Sequence, residues 1–312
     1  MSPATNRPEA LLGGLRVGGT HAVVVMGALN VSPESFYAGS IHRDRDALVR
    51  AGVAMARAGA LMLDVGARST APYRETAIGE GEEADRLGAA VEALVAKVGL
   101  PVSADTARPA PARAAFEAGA TVLNDVTALA DPAVARLVAE RGAGLLLMAS
   151  PAARVDVTPG AGPLATVEAI LAASLQRARA AGVPDERVVL DPGIGFFRAE
   201  AVAWDVWDTT VLASLDALVR LGRPLCVGVS RKSFLGALTG RSDPGDRLPA
   251  SVAATALAVL GGAALVRTHD VAETVDAVRV ATRVAEERAG LPGRDERWGV
   301  WGAMSGPPTS NV

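Results

Sequence analysis

The chain has 312 residues, of which 50% are hydrophobic and 21% charged, so it has enough apolar material for a large core and too little polarity for disorder. Its formal net charge is −3, and the 31 basic residues are interspersed with 34 acidic ones, which argues against a nucleic-acid partner. Cys226 is the single cysteine in the sequence, so an internal disulfide and a cysteine-based zinc site are both excluded. This cysteine usage predicts a reducing, cytoplasmic location.

Two apolar stretches resemble membrane segments only superficially. The first, residues 22–29, is short and follows no cationic region, so it fits neither a signal peptide nor a span. The second, residues 249–266, is rich in alanine, is interrupted by Gly261 and Gly262, and runs directly into Arg267. A buried helix followed by a buried strand explains it better, and we expect no membrane partner.

Eight apolar runs recur along the chain, and we predict a strand at each of them. The predicted strands cover residues 22–30, 60–65, 101–106, 121–126, 144–150, 188–191, 224–230 and 264–269. These runs are continuous rather than alternating, which is typical of strands covered on both faces in a parallel sheet. After each run comes a stretch in which the apolar residues have helical spacing, and we predict a helix there. The predicted helices cover residues 44–58, 82–98, 110–118, 132–141, 164–181, 209–221, 248–260 and 271–288.

This alternation predicts the α/β class and, within it, a TIM (β/α)8 barrel. The rival architecture, an open doubly wound sheet, is favoured by a glycine-rich phosphate loop after the first strand, and Gly27-Ala28-Leu29-Asn30 is not such a loop. We predict an N-terminal extension over residues 1–20, a single barrel domain over residues 21–290 and a C-terminal tail over residues 291–312.

Polar residues close almost every predicted strand, at the end of a TIM barrel where the active site is built. They are Asn30, Asp64, Asp105, Asn124, Asp125, Asp191, Ser230, Arg231, Lys232, Arg267 and His269. Each one, taken singly, has a plainer explanation, since Asp or Asn after a strand often caps a helix or orders a turn. Asp64 and Asp125 fit that structural explanation best. Together the set predicts a pocket with acidic, amide and basic groups.

One part of the predicted pocket suits a flat nitrogen heterocycle. Asp105, Asn124 and Asp191 offer donors and acceptors for a ligand edge that gives paired N–H bonds to a carboxylate. Lys232 would meet a ring carbonyl or a ring nitrogen of the same ligand.

The other part suits a phosphate-type group. Arg267 and His269 share one face of a strand, and Asn30 would contribute an oxygen ligand to Mg²⁺. The sequence contains no HExxH, Gly-x-Ser-x-Gly or P-loop motif, so metalloprotease, α/β-hydrolase and P-loop chemistry lack their usual signatures.

Six motifs, in order along the chain, resemble the signatures of the dihydropteroate synthase family. They are MGALNVSPESF at 26–36, Asp105-Thr106, Asn124-Asp125-Val126, DPGIGF at 191–196, GVSRKSF at 228–234 and RTHDVAET at 267–274. The likeness extends from residue 24 to residue 284, across most of the predicted barrel.

The resemblance implies a pterin-binding TIM barrel that joins 6-hydroxymethyl-7,8-dihydropterin diphosphate to 4-aminobenzoate, with release of pyrophosphate, in folate biosynthesis. It implies that Asp105, Asn124, Asp191 and Lys232 hold the pterin, with Met148 and Phe196 near its faces. It further implies that Asn30 binds Mg²⁺, that Arg267 and His269 grip the diphosphate, and that Thr70 and Ser230 lie near the arylamine. Asn30, Lys232, Arg267 and His269 are then the catalytic set, and a homodimer is suggested.

The sequence departs from the family's pattern in its loops. The family usually has Asp, Glu and Arg where this chain has Ala38, Arg68 and Ala71, and Ala149-Ser150 replaces a His-Met pair. The first two of these loops close over the acceptor in the family, so the amine used could differ.

Three functions therefore stay open. They are a dihydropteroate synthase with variant loops, a related pterin transferase for a different arylamine, and a non-catalytic pterin-binding barrel of the methyltetrahydrofolate-binding type. The last needs no diphosphate grip, so the presence of Asn30, Arg267 and His269 argues against it.

Overall fold

The computed structural model describes residues 7–31, 45–68, 78–153, 155, 157–158 and 160–288. Its strands are β1 (Glu9–Leu12), β2 (Leu15–Gly18), β3 (Val24–Asn30), β4 (Met62–Gly66), β5 (Val102–Asp105), β6 (Val122–Asp125), β7 (Gly144–Met148), β8 (Val188–Asp191), β9 (Leu225–Val227) and β10 (Ala263–Thr268). Its helices are α1 (Arg45–Arg57), α2 (Glu80–Val98), α3 (Pro109–Glu117), α4 (Pro132–Arg141), α5 (Pro163–Ala180), α6 (Trp204–Ala213), α7 (Leu215–Leu218), α8 (Ser233–Thr239), α9 (Leu248–Leu260) and α10 (Val271–Arg288).

Strands β3 to β10 pair in sequence order and close into a barrel through the β10–β3 contact. Every neighbouring pair in the barrel is parallel. The strands are buried on both faces, by helices outside and by side chains inside, which explains their continuous apolar sequences. The predicted TIM (β/α)8 barrel is confirmed.

The register places the polar strand ends side by side. Asp105 of β5 pairs with Asn124 of β6, and Met148 of β7 pairs with Asp191 of β8. Because parallel strands in a closed barrel end at one rim, the last residues of different strands face a common opening.

A β-hairpin of β1 and β2, which falls in the predicted N-terminal extension, covers the opposite end of the barrel. Leu12 and Val17 are fully buried and belong to a core cluster that includes Met26 and Leu146 from the barrel interior. Gly144, the first residue of β7, lies close to the hairpin. A Cβ on Gly144 would be 2.7 Å from Cδ2 of Leu12. The hairpin therefore contributes to the barrel core, while the predicted division into extension, barrel and tail stays a prediction.

The predicted elements differ from the observed ones mainly after β8 and β9. The helix predicted at 209–221 begins earlier, at Trp204, and breaks at Ser214 into α6 and α7. Helix α8 was not expected, since its seven residues are too few to show a clear helical period. The stretch 249–266 does form a helix and a strand, α9 and β10. No described helix combines the length and apolar composition that crossing a membrane requires.

Candidate active site

A cavity opens at the carboxyl ends of the barrel strands and gathers nine of the ten residues predicted to bind substrate. These nine are Asp105, Asn124, Met148, Asp191, Phe196, Ser230, Lys232, Arg267 and His269. The tenth, Thr70, lies outside the described residues, as do Ala38 and Ala71. Asn30, the predicted metal ligand, ends β3 at the same rim, although it is not part of the described cavity lining.

Two carboxylates hold Arg267 inside the barrel mouth. Its Nε donates to Asp64 Oδ2 at 2.6 Å, and its Nη2 donates to Asp105 Oδ2 at 3.1 Å. Asp64 is fully buried and also accepts a bond from Asn124 Nδ2 at 3.1 Å. The structural explanation for Asp64 is therefore supported, but its role is to orient two cavity residues rather than to anchor a loop.

Burial and the neighbouring charges both shift the pKa values of Asp105 and Arg267. Burial, followed by repulsion from Asp64, raises the pKa of Asp105 to about 7 in spite of Arg267. Burial alone would lower the pKa of Arg267, but the charges of Asp64 and Asp105 outweigh it and raise that pKa above its usual value. The second oxygens of both carboxylates are buried and accept no hydrogen bond from a described residue. Asp105 lines the cavity, so a ligand that offers N–H groups is suited to satisfy its second oxygen.

Asp191 is fixed by the turn that follows β8. Its Oδ1 accepts a bond from the backbone N–H of Gly193 at 2.8 Å, and burial raises its pKa. Gly193 has φ +70°, and a Cβ there would lie 2.1 Å from the carbonyl oxygen of Ala149, so only glycine fits. Cys226 belongs to the buried apolar cluster inside the barrel. Burial, followed by the charge of Asp191, raises the pKa of its thiol.

Lys232 lines the same cavity as Asp191. Its ammonium donates to the carbonyl of Ile194 and stands 5.0 Å from the centre of the Phe196 ring. Burial lowers its pKa, and the charges of Asp191 and Asp208 oppose that shift.

Asp208, on α6, is a site residue that the sequence analysis missed. It is fully buried and accepts the backbone N–H of Gly195 at 2.7 Å, which holds the turn beside Lys232. The available signal was a carboxylate directly after the apolar Trp207, on the face of α6 that packs inward.

His269 is held by backbone contacts beside Arg267. Its Nδ1 lies 3.2 Å from the carbonyl oxygen of Ala28, so Nδ1 carries the hydrogen, and its backbone N–H donates to Ser230 Oγ at 3.3 Å. Burial and the charge of Arg267 lower the pKa of His269 to about 4. The imidazole is therefore neutral near pH 7.

Arg231, which the sequence analysis grouped with the pocket residues, has a structural role. It makes a two-pronged ion pair with Asp270 at 2.7 and 2.8 Å and donates to the carbonyls of Pro244 and Gly245. Its φ of +55° is unusual for a residue with a side chain and is held by these bonds. These bonds of Arg231 hold the loop that carries Ser230 and Lys232.

Asp125 also has the structural role expected of it. Its Oδ1 accepts the backbone N–H groups of Thr127 and Leu129, at 2.8 and 3.0 Å, which orders the turn after β6.

Arg68 and Ser150, two of the departures from the family pattern, have partners elsewhere. The Nε of Arg68 lies 3.6 Å from buried Glu83, which also accepts bonds from Thr106 and Arg108. Ser150 Oγ accepts the backbone N–H of Ala152 at 3.2 Å. Both residues support loops around the rim and neither lines the described cavity.

Comparison with known proteins gives consistent matches along the barrel. The family model for pterin-binding enzymes matches residues 26–269. The chain is 40% identical over 268 residues to the dihydropteroate synthase of Mycobacterium leprae, covering 83% of this chain and 92% of that protein. It is 41% identical over 260 residues to a probable bifunctional folylpolyglutamate synthase/dihydropteroate synthase of Haloferax volcanii, and spans 30% of the length of that relative.

A solved structure matches the fold as well as the sequence. The dihydropteroate synthase of Xanthomonas albilineans, solved with 4-aminobenzoic acid, superposes with a TM-score of 0.79 at 38% identity. The match covers 92% of this chain and 100% of that one. On the family match and these relatives, the chain belongs to the pterin-binding enzyme family and, within it, to the dihydropteroate synthases.

Proposed function

We propose that this chain joins 6-hydroxymethyl-7,8-dihydropterin diphosphate to 4-aminobenzoate and releases pyrophosphate, in folate biosynthesis. The observation that supports this most directly is one cavity that combines Asp105, Asn124, Asp191 and Lys232 at the rim of the barrel. The resemblance of the chain to the Xanthomonas albilineans enzyme solved with 4-aminobenzoic acid supports the same substrate class.

The residues of the chain act by position and charge. In the proposed reaction the bond between the pterin methylene carbon and the diphosphate oxygen breaks, and a bond from the amine nitrogen to that carbon forms. Pyrophosphate takes the electron pair of the broken bond, and the amine loses a proton to solvent. The cationic Arg267 stabilises the charge that leaves, Lys232 holds the pterin ring, and no protein nucleophile is required.

Asn30 fits the predicted role of magnesium ligand by its chemistry. It carries an amide oxygen and is the last residue of β3, and Mg²⁺ favours one or two protein oxygens completed by substrate phosphate and water. Among the described residues no cluster of three His, Cys, Asp or Glu side chains is arranged for a metal ion, so Asn30 and the diphosphate would hold it together. Bound there, Mg²⁺ would neutralise charge on the leaving diphosphate.

The proposed contact between His269 and the diphosphate predicts proton uptake. Its Nδ1–H is directed at Ala28, and a fully ionised phosphate oxygen has no hydrogen to give to Nε2, so the contact requires a protonated ring. The pKa of about 4 in the unliganded protein must then rise on binding. Affinity for pyrophosphate is expected to weaken as the pH rises, because the bound form holds one more proton.

Calorimetry of pyrophosphate binding at pH 7, in two buffers with different ionisation enthalpies, measures this uptake. We expect the wild type to take up more protons on binding than His269→Gln, which lacks the imidazole. Any proton that the ligand itself gains is common to both proteins and cancels in the comparison. Equal uptake by the two proteins would contradict the proposed contact.

Pyrophosphate release from purified protein tests the proposed function. With Mg²⁺, the pterin diphosphate and 4-aminobenzoate, we expect steady release that depends on the amine. A related transferase for another arylamine is the second candidate, because Arg68 stands where the family has a carboxylate and is paired with Glu83. Release with a different aniline alone would select it, and tight pterin binding without turnover would select the non-catalytic barrel.

A cytoplasmic location and a homodimer belong to this proposal as well. Size-exclusion chromatography with light scattering tests the second, and a mass near twice that of the chain is expected.

A further inference from the structure

A single peptide unit in the turn after β8 is hydrogen-bonded on both sides. Its carbonyl, on Ile194, accepts a bond from the ammonium of Lys232. Its N–H, on Gly195, donates to Asp208 Oδ1 at 2.7 Å. The groups therefore form a continuous line from a cation, through one amide, to an anion. Hydrogen bonds linked in this way polarise one another, so each bond strengthens the other.

The backbone of Gly195 allows Lys232 to approach this peptide. Gly195 has φ +90°, and a Cβ there would lie 2.8 Å from Cδ of Lys232 and 3.4 Å from its Nζ. The lysine side chain thus lies directly against the glycine backbone. The placement of the peptide therefore decides where the ammonium lies.

Asp208 reaches the same peptide from α6. It lies beyond the first turn of that helix, so its carboxylate does not cap the helix N-terminus. Its neighbour Trp207 is buried and stacks on Phe197, with ring centres 4.8 Å apart, which holds the beginning of α6 against the turn. The carboxylate is therefore held beside the Gly195 N–H by packing on its own helix.

The charge of Asp208 is matched to that of Lys232. Asp208 is fully buried, and its Oδ2 accepts no hydrogen bond from a described residue. Burial raises its pKa, and the Gly195 N–H together with the charges of Lys232 and Arg198 opposes that rise. The charges of Asp191 and Asp208 in turn oppose the effect of burial on the pKa of Lys232. Each buried charge thus makes the other less costly.

Asp208 influences the cavity only through other residues. Lys232 and Gly195 belong to the cavity lining, whereas Asp208 does not. We propose that Asp208 is a positioning residue, which acts through the Ile194–Gly195 peptide to fix the ammonium of Lys232 where it meets the substrate. This inference rests on the proposed function for the identity of that substrate as a pterin. The held carbonyl takes one ammonium hydrogen and leaves the others for the ligand.

Titration calorimetry with 6-hydroxymethylpterin at pH 7 tests the inference. Asp208→Leu removes the acceptor of the Gly195 N–H, and we expect about tenfold weaker affinity, as loss of a charge-assisted bond predicts. Asp208→Asn keeps an acceptor oxygen and should bind within about threefold of the wild type. Asp205→Leu is the matched control, because Asp205 is a half-buried carboxylate of the same helix outside the cavity lining. Equal losses in Asp208→Leu and Asp208→Asn, or no loss in Asp208→Leu, would overturn the inference.

A double-mutant cycle separates positioning from general damage to the fold. The ammonium is absent in Lys232→Ala, so adding Asp208→Leu to that variant should change pterin affinity by less than about twofold. A loss of the same factor with and without Lys232 would show that the carboxylate acts independently of the lysine, and the inference would then be wrong.

Lysine NMR decides the inference even if the protein binds no pterin, a result that would count against the proposed function alone. The sequence contains two lysines, Lys232 and the exposed Lys97, so ¹³C-labelled lysine gives one Cε signal from each. We expect the Lys232 signal to move in Asp208→Leu and to return toward its wild-type position in Asp208→Asn, with the Lys97 signal unchanged. A Lys232 signal that stays in place in Asp208→Leu would contradict the proposed positioning.

Discussion

Arg267→Ala is expected to lower the free energy of unfolding by about 3–5 kcal/mol at pH 7, because it leaves two carboxylates without the cation they share. Asp64 is fully buried and Asp105 nearly so, and the two already repel each other. We also expect kcat/KM to fall by at least about 10²–10³, since the same guanidinium stabilises the leaving diphosphate in the proposed reaction. Urea unfolding and pyrophosphate release measure the two effects.

The loss of stability in Arg267→Ala should depend on pH in a defined direction. Without the cation, the pKa of Asp105 in the folded protein rises further above its unfolded value. A raised folded pKa means that the folded state gains stability from this group at low pH and loses it as the pH rises through that pKa. The difference in free energy of unfolding between the wild type and Arg267→Ala is therefore expected to be larger at pH 8 than at pH 5.

Two variants serve as controls for that result. Arg267→Ala combined with Asp105→Asn removes one charge and should recover part of the lost stability. Arg16→Ala removes an exposed arginine paired with Glu9 and should change stability little. A deficit in Arg267→Ala that is independent of pH would contradict the explanation.

Lys232→Ala is expected to weaken pterin binding about 10- to 100-fold, since it removes a charge-assisted donor from a buried position. The ammonium bonds to Ile194 and faces the charge of Asp191, so its loss also leaves that carboxylate less well compensated. Because Lys232 is predicted to touch the ring, 6-hydroxymethylpterin and its diphosphate should lose affinity by the same factor. Arg267→Ala should lower the affinity for the diphosphate more than the affinity for 6-hydroxymethylpterin.

Titration calorimetry with the two ligands measures this division of roles. Lys97→Ala removes an exposed lysine on α2 and should bind both ligands as the wild type does. Identical losses for both ligands in Lys232→Ala and Arg267→Ala would show that the two cations do not act on different parts of the substrate.

Some of the site could be located from local sequence, because the barrel places the ends of its strands at one rim. Asp105, Asn124, Asp191, Lys232 and Arg267 each follow or end an apolar run, and the closed order of strands brings them to one cavity. The individual role of each of these residues in substrate binding stays a prediction until the variants are measured.

Other site features depend on contacts between residues far apart in sequence. Arg267 bonds to Asp64 across 203 positions, and a spacing pattern carries no information about such a pair. Asp208 and Arg198 lie between the predicted strand at 188–191 and the predicted helix at 209–221, where no element was predicted. Their bonds to Gly195 and Ser233 form only when these loops are folded.

The sequence by itself determined the order of eight strands and their covering helices, because continuous apolar runs and helical spacing are local properties of the chain. Only the tertiary structure decided which charges neutralise each other in the barrel mouth. Ion pairing depends on distances of 3–4 Å between side chains from different strands, and these distances are set when the barrel closes.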